Sequence, residues 1–442
     1  MMSVFCSISL STWILSMLSW LLKDKKKLRR MLNKKLTWPN IKVRSLSMRS
    51  RNSKIAALLV SHWANDGYSV ILPPLLLIIS LQFGLSTMQA ATIISVYTMS
   101  SALVQLPLAF LADYSGRSKQ ILALGMFVSS AALFGYGGST SYAWLLFFAF
   151  WGGLGFSGYH PISMNLMTQL FNGQKGFSLG IHTVAGSLGA TMVPIILGVF
   201  SASWQVGVWL LAVPGIISGL WILLAFNGVR GAWKKDKSIL VLSRKAVANP
   251  RVLLTTLFGG LNQMVYWGSL TFIPLFFAHR FHWSIAATNT LLGVFHFSAL
   301  VSQPLFGYLS DILERNRLLF ILGAVIASFT ILFSVMNNAI WCAVFSVVIG
   351  AAVLALRPLT NAKVADITSP QVRSTAIGLS FTFSSGLGAA APLLGGYMEK
   401  VYSFQAAFFV FGLIALLGLS ILLILNGLEK RSAGKAEAAA LE

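Results

Sequence analysis

The sequence predicts an all-α membrane protein with twelve core transmembrane helices, arranged as two pseudo-symmetric halves of six helices each. Hydrophobic residues make up 56% of the chain and charged residues only 10%, whereas a soluble domain carries about 25% charged residues. The apolar runs are long and continuous, which is typical of membrane helices rather than of the short alternating strands of a membrane barrel. In addition, short motifs recur in the second half of the chain at a nearly constant offset.

The apolar runs divide the chain into twelve spans, because a helix of about 20 residues crosses the hydrocarbon layer. The first half, 55–227, holds spans at about 55–81, 87–111, 120–137, 143–168, 177–200 and 206–227. The second half, 251–428, holds spans at about 251–279, 285–310, 318–336, 340–365, 375–398 and 404–428. A basic linker, 228–250, joins the halves, and a tail, 429–442, ends in residues that we interpret as a vector remnant.

An extra N-terminal segment, residues 1–54, precedes the repeat. Its apolar stretch 4–22 comes before the Lys/Arg-rich run 23–54, whereas a signal peptide carries its positive charge first. Three interpretations stay open: an extra span, an interfacial helix, or sequence upstream of a start near Met48. We interpret it as a peripheral, non-catalytic segment whose basic residues suit an anionic leaflet.

The formal net charge of +22 does not predict a nucleic-acid-binding protein, because the basic residues are not interleaved with the aromatic residues of a stacking surface. By our assignment of spans, every Lys and Arg except Arg280, Lys400 and Arg357 falls on one side of the membrane. This asymmetry follows the positive-inside rule. We therefore expect the basic side, with both termini of the twelve-span core and the linker, to be cytoplasmic.

An internal repeat relates the two halves. The recurring pairs are Asp113 with Asp311, His160-Pro161 with Arg357-Pro358, and Gly180 with Gly378, at offsets of 198, 197 and 198 residues. Three pairs at nearly one offset are hard to obtain by chance. Parallel repeats of this kind place their substrate site near the membrane midplane, between the halves.

The turn after span two resembles a family signature. Residues 109–119 read AFLADYSGRSK, similar to the loop pattern G-x-L-a-D-r-x-G-r-k of the major facilitator superfamily, with matches at Asp113, Gly116 and Arg117. A degraded second copy contains Asp311 and Arg315. Within that family, SHWAND at 61–66, GGLGFSGYHP at 152–161 and the stretch from Gly180 to Pro194 resemble the fosmidomycin-resistance group of bacterial drug exporters.

The resemblance implies the major-facilitator fold and a proton-coupled exporter of small molecules in the bacterial inner membrane. It also implies a monomer that needs no cofactor. We expect the matching turn residues to act as gating residues that close the cytoplasmic side in one conformation: Asp113, Gly116, Arg117, Asp311 and Arg315. An enzyme is not expected, because no HExxH or GxSxG sequence occurs, and the lack of a P-loop means that ATP does not drive transport directly.

Two residues of span one are the candidate proton-coupling groups. Asp66 is the one acid that we place well inside a span, where a charge costs about 2.5–3.5 kcal/mol and usually faces a cavity or a partner. His62 lies four residues earlier, on the same helix face, and a histidine beside a carboxyl group can relay protons near neutral pH. A structural hydrogen bond and a divalent-metal pair remain alternative interpretations of the two residues.

Arg357 is the one basic residue that we place deep in the hydrocarbon, so it needs an anionic partner from the protein, such as Asp66, or from the substrate. Its repeat equivalent is His160, and both precede a proline that weakens the local helix. Other residues that could bind substrate are Tyr68, Tyr159, Asn262, Gln263 and Trp267.

These residues favour a secondary transporter that exports an amphipathic or anionic compound in exchange for protons. Three alternatives remain: an organic-anion uniporter or symporter centred on Arg357, a divalent-metal exporter using His62 and Asp66, and a transporter-like sensor or scaffold. Only the basic run 23–54 favours the last of these.

Overall fold

The computed structural model describes residues 48–171, 175–226, 248–368 and 373–439. The first half comprises helices Met48–Ser69 with Leu72–Phe83 (span one), Thr87–Ser115 (two), Ser118–Gly137 (three), Tyr142–Ser157 with Tyr159–Leu170 (four), Lys175–Val199 (five) and Trp204–Ala225 (six). The second half comprises Pro250–Phe281 (seven), Ile285–Ile312 (eight), Arg315–Val335 (nine), Ala339–Asp366 (ten), Arg373–Val401 (eleven) and Phe404–Ala439 (twelve). The predicted all-α membrane fold is confirmed, while residues 1–47 and most of the predicted linker lie outside the described residues.

Two spans are broken near prolines. Span one bends by 41° between Ser69 and Leu72, where Pro73 and Pro74 begin the second helix and supply no backbone N–H to the turn before them. Span four is interrupted at Gly158, three residues before Pro161. Proline therefore explains why each of these predicted spans consists of two shorter helices.

Ten of the described spans meet a simple test of length and apolarity: nine are single helices, and span one qualifies as a bent pair. Span four does not, because its pieces have only 16 and 12 residues. Span seven is 32 residues long, but it carries Asn262 and Gln263 and is buried along most of its length. It lies inside the bundle, where other helices rather than lipid surround it.

Span two packs against span eleven, and span five packs against span eight; the two halves meet along these pairs. Away from the basic side, Gly396 of span eleven packs against Met88 and Ala91 of span two, and Gly198 of span five packs against Ala286 of span eight. The second helix of span one also contacts spans seven and eight. The two halves are thus in close contact at the end of the bundle opposite the basic side.

Gly189 gives a test of the packing inside the first half. A β-carbon at Gly189 would overlap the carbonyl oxygen of Trp63, and neither backbone can yield easily. We expect Gly189→Ala to lower the free energy of unfolding by about 1–3 kcal/mol, measured as thermal unfolding in detergent. Gly180→Ala in the same span is the matched control, because no described atom beyond its own stretch of helix lies within 4 Å of a β-carbon there. Equal stability of the two variants would contradict this packing argument.

Candidate substrate and ion site

A cavity lies between the two halves, at mid-depth of the bundle. The first half contributes Asp66, Tyr97, Phe156, His160 and Ser187, among others, and the second half contributes Gln263, Tyr266, Trp267, His296, Gln303 and Arg357. The two halves thus supply opposite walls of one cavity, as the repeat predicts. The cavity combines ionisable side chains, amide groups and aromatic rings.

Asp66 lies between two histidines on the first-half wall. Its Oδ2 is 3.3 Å from Nε2 of His62, and its Oδ1 is 3.3 Å from Nε2 of His160. Asn65 donates a longer hydrogen bond of 3.5 Å to Oδ1. The Asp66 side chain is 23% exposed and that of His160 is 16% exposed, whereas His62 is buried behind them. The sequence predicted the pair His62 and Asp66, but not that His160 completes a cluster.

His62 is held in place by span five. Its Nδ1 lies 2.6 Å from the backbone carbonyl oxygen of His182, and a carbonyl can only accept, so Nδ1 carries a hydrogen. The two imidazole rings stack with centroids 3.8 Å apart. Nε2 of His182 is in turn 3.1 Å from the hydroxyl of Ser163. Spans one, four and five therefore fix the ring, and they leave Nε2 of His62 to face Asp66.

Arg357 lies on the opposite wall, in span ten. Its guanidinium carbon is 5.8 Å from the centre of the Tyr266 ring. No ion pair among the described residues involves Arg357. Asp66 and Arg357 therefore line the same cavity without forming an ion pair.

The other predicted substrate residues fall into two groups. Gln263 and Trp267 line the cavity together with His160. The hydroxyl of Tyr68 donates to the carbonyl of Leu211 at 2.7 Å, within the contact of spans one and six. Tyr159 and Asn262 also lie outside the cavity lining. The hydroxyl of Tyr159 is 2.7 Å from the hydroxyl of Ser61, and the side-chain amide of Asn262 donates a 2.8 Å hydrogen bond to the backbone carbonyl of Phe258 in its own helix.

Several lining residues were not predicted to bind substrate. Among them are Tyr97, Tyr266 and His296. Gln303 lies near Pro304 of the repeat and bridges the halves, accepting from Ser187 at 3.4 Å and donating to Leu354 at 3.2 Å. A sequence signal existed for His296 and Gln303, as polar residues deep in span eight.

The predicted gating residues lie at the basic side. Gly116 adopts a positive φ of 64° where span two ends, a conformation that favours glycine, and Arg117 precedes span three. Arg315 pairs with Asp366, so its partner belongs to its own half. Asp311 is exposed, and the side chain of Asp113 lies outside what the structure describes. The gating role of these residues stays a prediction.

A bundle of membrane helices in two repeated halves, with a polar cavity between them, defines an α-helical membrane transporter. The sequence matches the family model of the Major Facilitator Superfamily over residues 57–288 and again over 255–441. The chain belongs to the Major Facilitator Superfamily, as its loop signature predicted.

Relatives of the chain carry drug-resistance names. It is similar to the multidrug resistance protein MdtG of Rahnella sp., at 23% identity over 317 residues, which are 69% of this chain and 76% of the relative. It is also similar to MdtG of Salmonella arizonae, at 24% identity over 361 residues, which are 78% of this chain and 87% of the relative.

Solved structures share the fold. An inward-facing bacterial homolog of the human lysosomal transporter Spinster superposes with a TM-score of 0.73 at 15% identity, covering 86% of this chain and 98% of that one. The nucleoside transporter NupG superposes with a TM-score of 0.71 at 13% identity, covering 85% of this chain and 100% of that one. At such identity the likeness establishes the architecture alone.

Proposed function

We propose that the protein exports an amphipathic or anionic small molecule in exchange for protons, by alternating access of the central cavity to the two sides of the membrane. The observation that carries this proposal is the position of Arg357. A guanidinium group stays charged at any accessible pH, and a charge at this depth needs an opposite charge. Because none of the described acids forms an ion pair with Arg357, we assign that role to an anionic group of the substrate.

The rest of the cavity suits an amphipathic molecule. Phe156, Tyr266 and Trp267 offer apolar ring surface close to the charged group. The side-chain oxygen of Gln263 is buried and has no hydrogen-bond partner within the described part of the chain, so it is available to a donor on the substrate. Small-molecule sites typically combine such apolar walls with a few placed polar groups.

Asp66 supports coupling to protons. It is the acid on the cavity wall, and its neighbours His62 and His160 can exchange protons with it. Ionised Asp66 accepts charge-assisted hydrogen bonds from donor groups of a bound substrate, whereas protonated Asp66 loses that contact. Substrate and protons then compete for the same carboxylate, and such competition is what an exchange of one for the other requires.

The relatives and the charge asymmetry support a direction and a location for the proposed transport. The multidrug resistance proteins named above favour export, and the positive-inside rule favours cytoplasmic core termini in a bacterial inner membrane. We propose that the monomer is the working unit, because each chain contains a complete cavity between its own halves.

Transport by purified protein in liposomes tests this function. With an imposed pH gradient, we expect accumulation of at least one anionic or amphipathic compound from a panel that also contains neutral sugars and divalent metals. Accumulation should collapse when an ionophore removes the gradient. Transport that is equally fast with and without the gradient would exclude proton coupling and favour a uniporter, and accumulation of neutral sugars alone would contradict the role of Arg357.

A further inference from the structure

We infer that His62, Asp66 and His160 form a binding site for one divalent transition-metal ion, of the kind that zinc and cobalt fill. Spans one and four supply the three side chains, and their ligand atoms all lie within 4.8 Å of one another. Imidazole nitrogen and carboxylate oxygen are the donor set that these ions prefer when no thiolate is present. The inference concerns binding and does not depend on which compound the protein transports.

The spacing of the ligand atoms fits such an ion. Both nitrogen-to-oxygen distances, from His62 and from His160 to Asp66, are 3.3 Å. Charge-assisted hydrogen bonds between nitrogen and carboxylate are shorter, about 2.7–2.9 Å. Two ligand atoms that each lie about 2.0–2.1 Å from a tetrahedral zinc ion are about 3.3–3.4 Å apart. Each histidine thus lies, relative to one oxygen of Asp66, at the separation of two ligands around an ion rather than at that of a direct hydrogen-bond partner, and the two histidines face different oxygens of the carboxylate.

His62 provides the independent observation. It is 4% exposed, and its Nε2 faces Asp66 without making a hydrogen bond to any atom that the structure describes. Its other nitrogen donates to the His182 carbonyl, so in the neutral ring Nε2 holds a lone pair aimed at the carboxylate. Metal-binding histidines are typically held in this way, with the second nitrogen bonded to a backbone carbonyl. A cation between Nε2 and Asp66 would satisfy both acceptors.

The surroundings leave room for the ion and for a further ligand. Asp66 and His160 both face the cavity, so a fourth coordination position points to space that solvent or a substrate can reach. Arg357 shares the cavity but does not pair with Asp66, so the carboxylate stays available to a cation. The buried His296 is no candidate ligand, because its two nitrogens contact Leu292 and Tyr266.

Calorimetric titration of zinc into the purified full chain in detergent tests the site. To remove competing histidines near the end of span seven, the titration uses the background His279→Ala with His282→Ala. We expect one zinc ion per chain and a loss of affinity of about tenfold or more on His160→Ala. His296→Ala, which removes a buried histidine from the opposite wall of the same cavity, should bind zinc as the background does.

Cobalt supplies a second readout, which is observed first in the background protein with all three proposed ligands unchanged. Cobalt bound to the background protein should show the visible absorption of a four- or five-coordinate ion, and added zinc should remove it. His62→Gln, which cannot offer an imidazole to the ion, should abolish the absorption. A background protein that binds no zinc, or His160→Ala and His296→Ala variants that weaken binding equally, would overturn the inference.

Discussion

Asp66→Asn is expected to abolish transport driven by a pH gradient while leaving the protein folded. Asparagine has the size of aspartate but cannot release or take up a proton, so the step that couples transport to the gradient is lost. The change also removes an ionisable group from the membrane interior, where it costs about 2.5–3.5 kcal/mol. We therefore expect thermal stability to be unchanged or higher. The measurement is substrate accumulation in liposomes under an imposed gradient, compared with exchange of labelled substrate without a gradient.

The matched control for this experiment is Glu314→Gln. Glu314 is an exposed acid at the start of span nine, at the basic side and outside the cavity lining, and its replacement should leave accumulation intact. Exchange without a gradient should survive in Asp66→Asn, because the binding residues on the second-half wall are unchanged. Normal gradient-driven accumulation by Asp66→Asn would exclude Asp66 as the coupling group.

Arg357→Lys is expected to weaken the binding of an anionic substrate by about tenfold, which corresponds to about 1.4 kcal/mol, and to leave a neutral ligand unaffected. Lysine keeps the positive charge but loses the planar fork of donors that binds a carboxylate or phosphate with two parallel hydrogen bonds. It also removes the guanidinium group whose carbon lies 5.8 Å from the centre of the Tyr266 ring. Calorimetry with one anionic and one neutral ligand measures the two effects separately.

Arg315→Lys is the control for this variant. Arg315 belongs to the same half and pairs with Asp366 at the basic side, so its replacement should change neither affinity. The rival hypothesis makes Arg357 a structural residue alone. It predicts that Arg357→Lys lowers the unfolding temperature and leaves the ratio of the two affinities as it was, and that outcome would refute an anionic substrate group at this position.

The fold could be predicted from the sequence because lipid imposes long apolar helices, and because the repeat fixes how the halves correspond. The broken helices were not predicted as breaks, although Pro73, Pro74 and Pro161 were visible in the sequence. A proline often only bends a membrane helix, since neighbouring groups can satisfy the freed carbonyls. Span twelve continues as helix to Ala439, beyond the predicted end at 428, because residues past the apolar run retain high helix propensity.

The candidate site could be predicted in part. Asp66 and Arg357 could be identified because a charged side chain is costly in lipid, and the position of a residue within an apolar run is visible in the sequence. The position of His160 beside Asp66 could not be predicted, since it depends on how spans one and four are rotated against each other. The same limit applies to Tyr68 and Tyr159, whose hydroxyls bond within the first half. Sequence identifies an unusual residue in a span, but helix packing decides which wall it faces.

The burial of span seven bears on how the chain enters the membrane during synthesis. This helix carries Asn262 and Gln263, and it is surrounded in the finished bundle by spans ten, eleven and twelve and by the second helix of span one. When it leaves the ribosome, spans ten to twelve do not yet exist, and a helix with polar side chains partitions poorly into lipid by itself. We therefore expect span seven to be held beside the completed first half, through the second helix of span one, until spans ten to twelve are made.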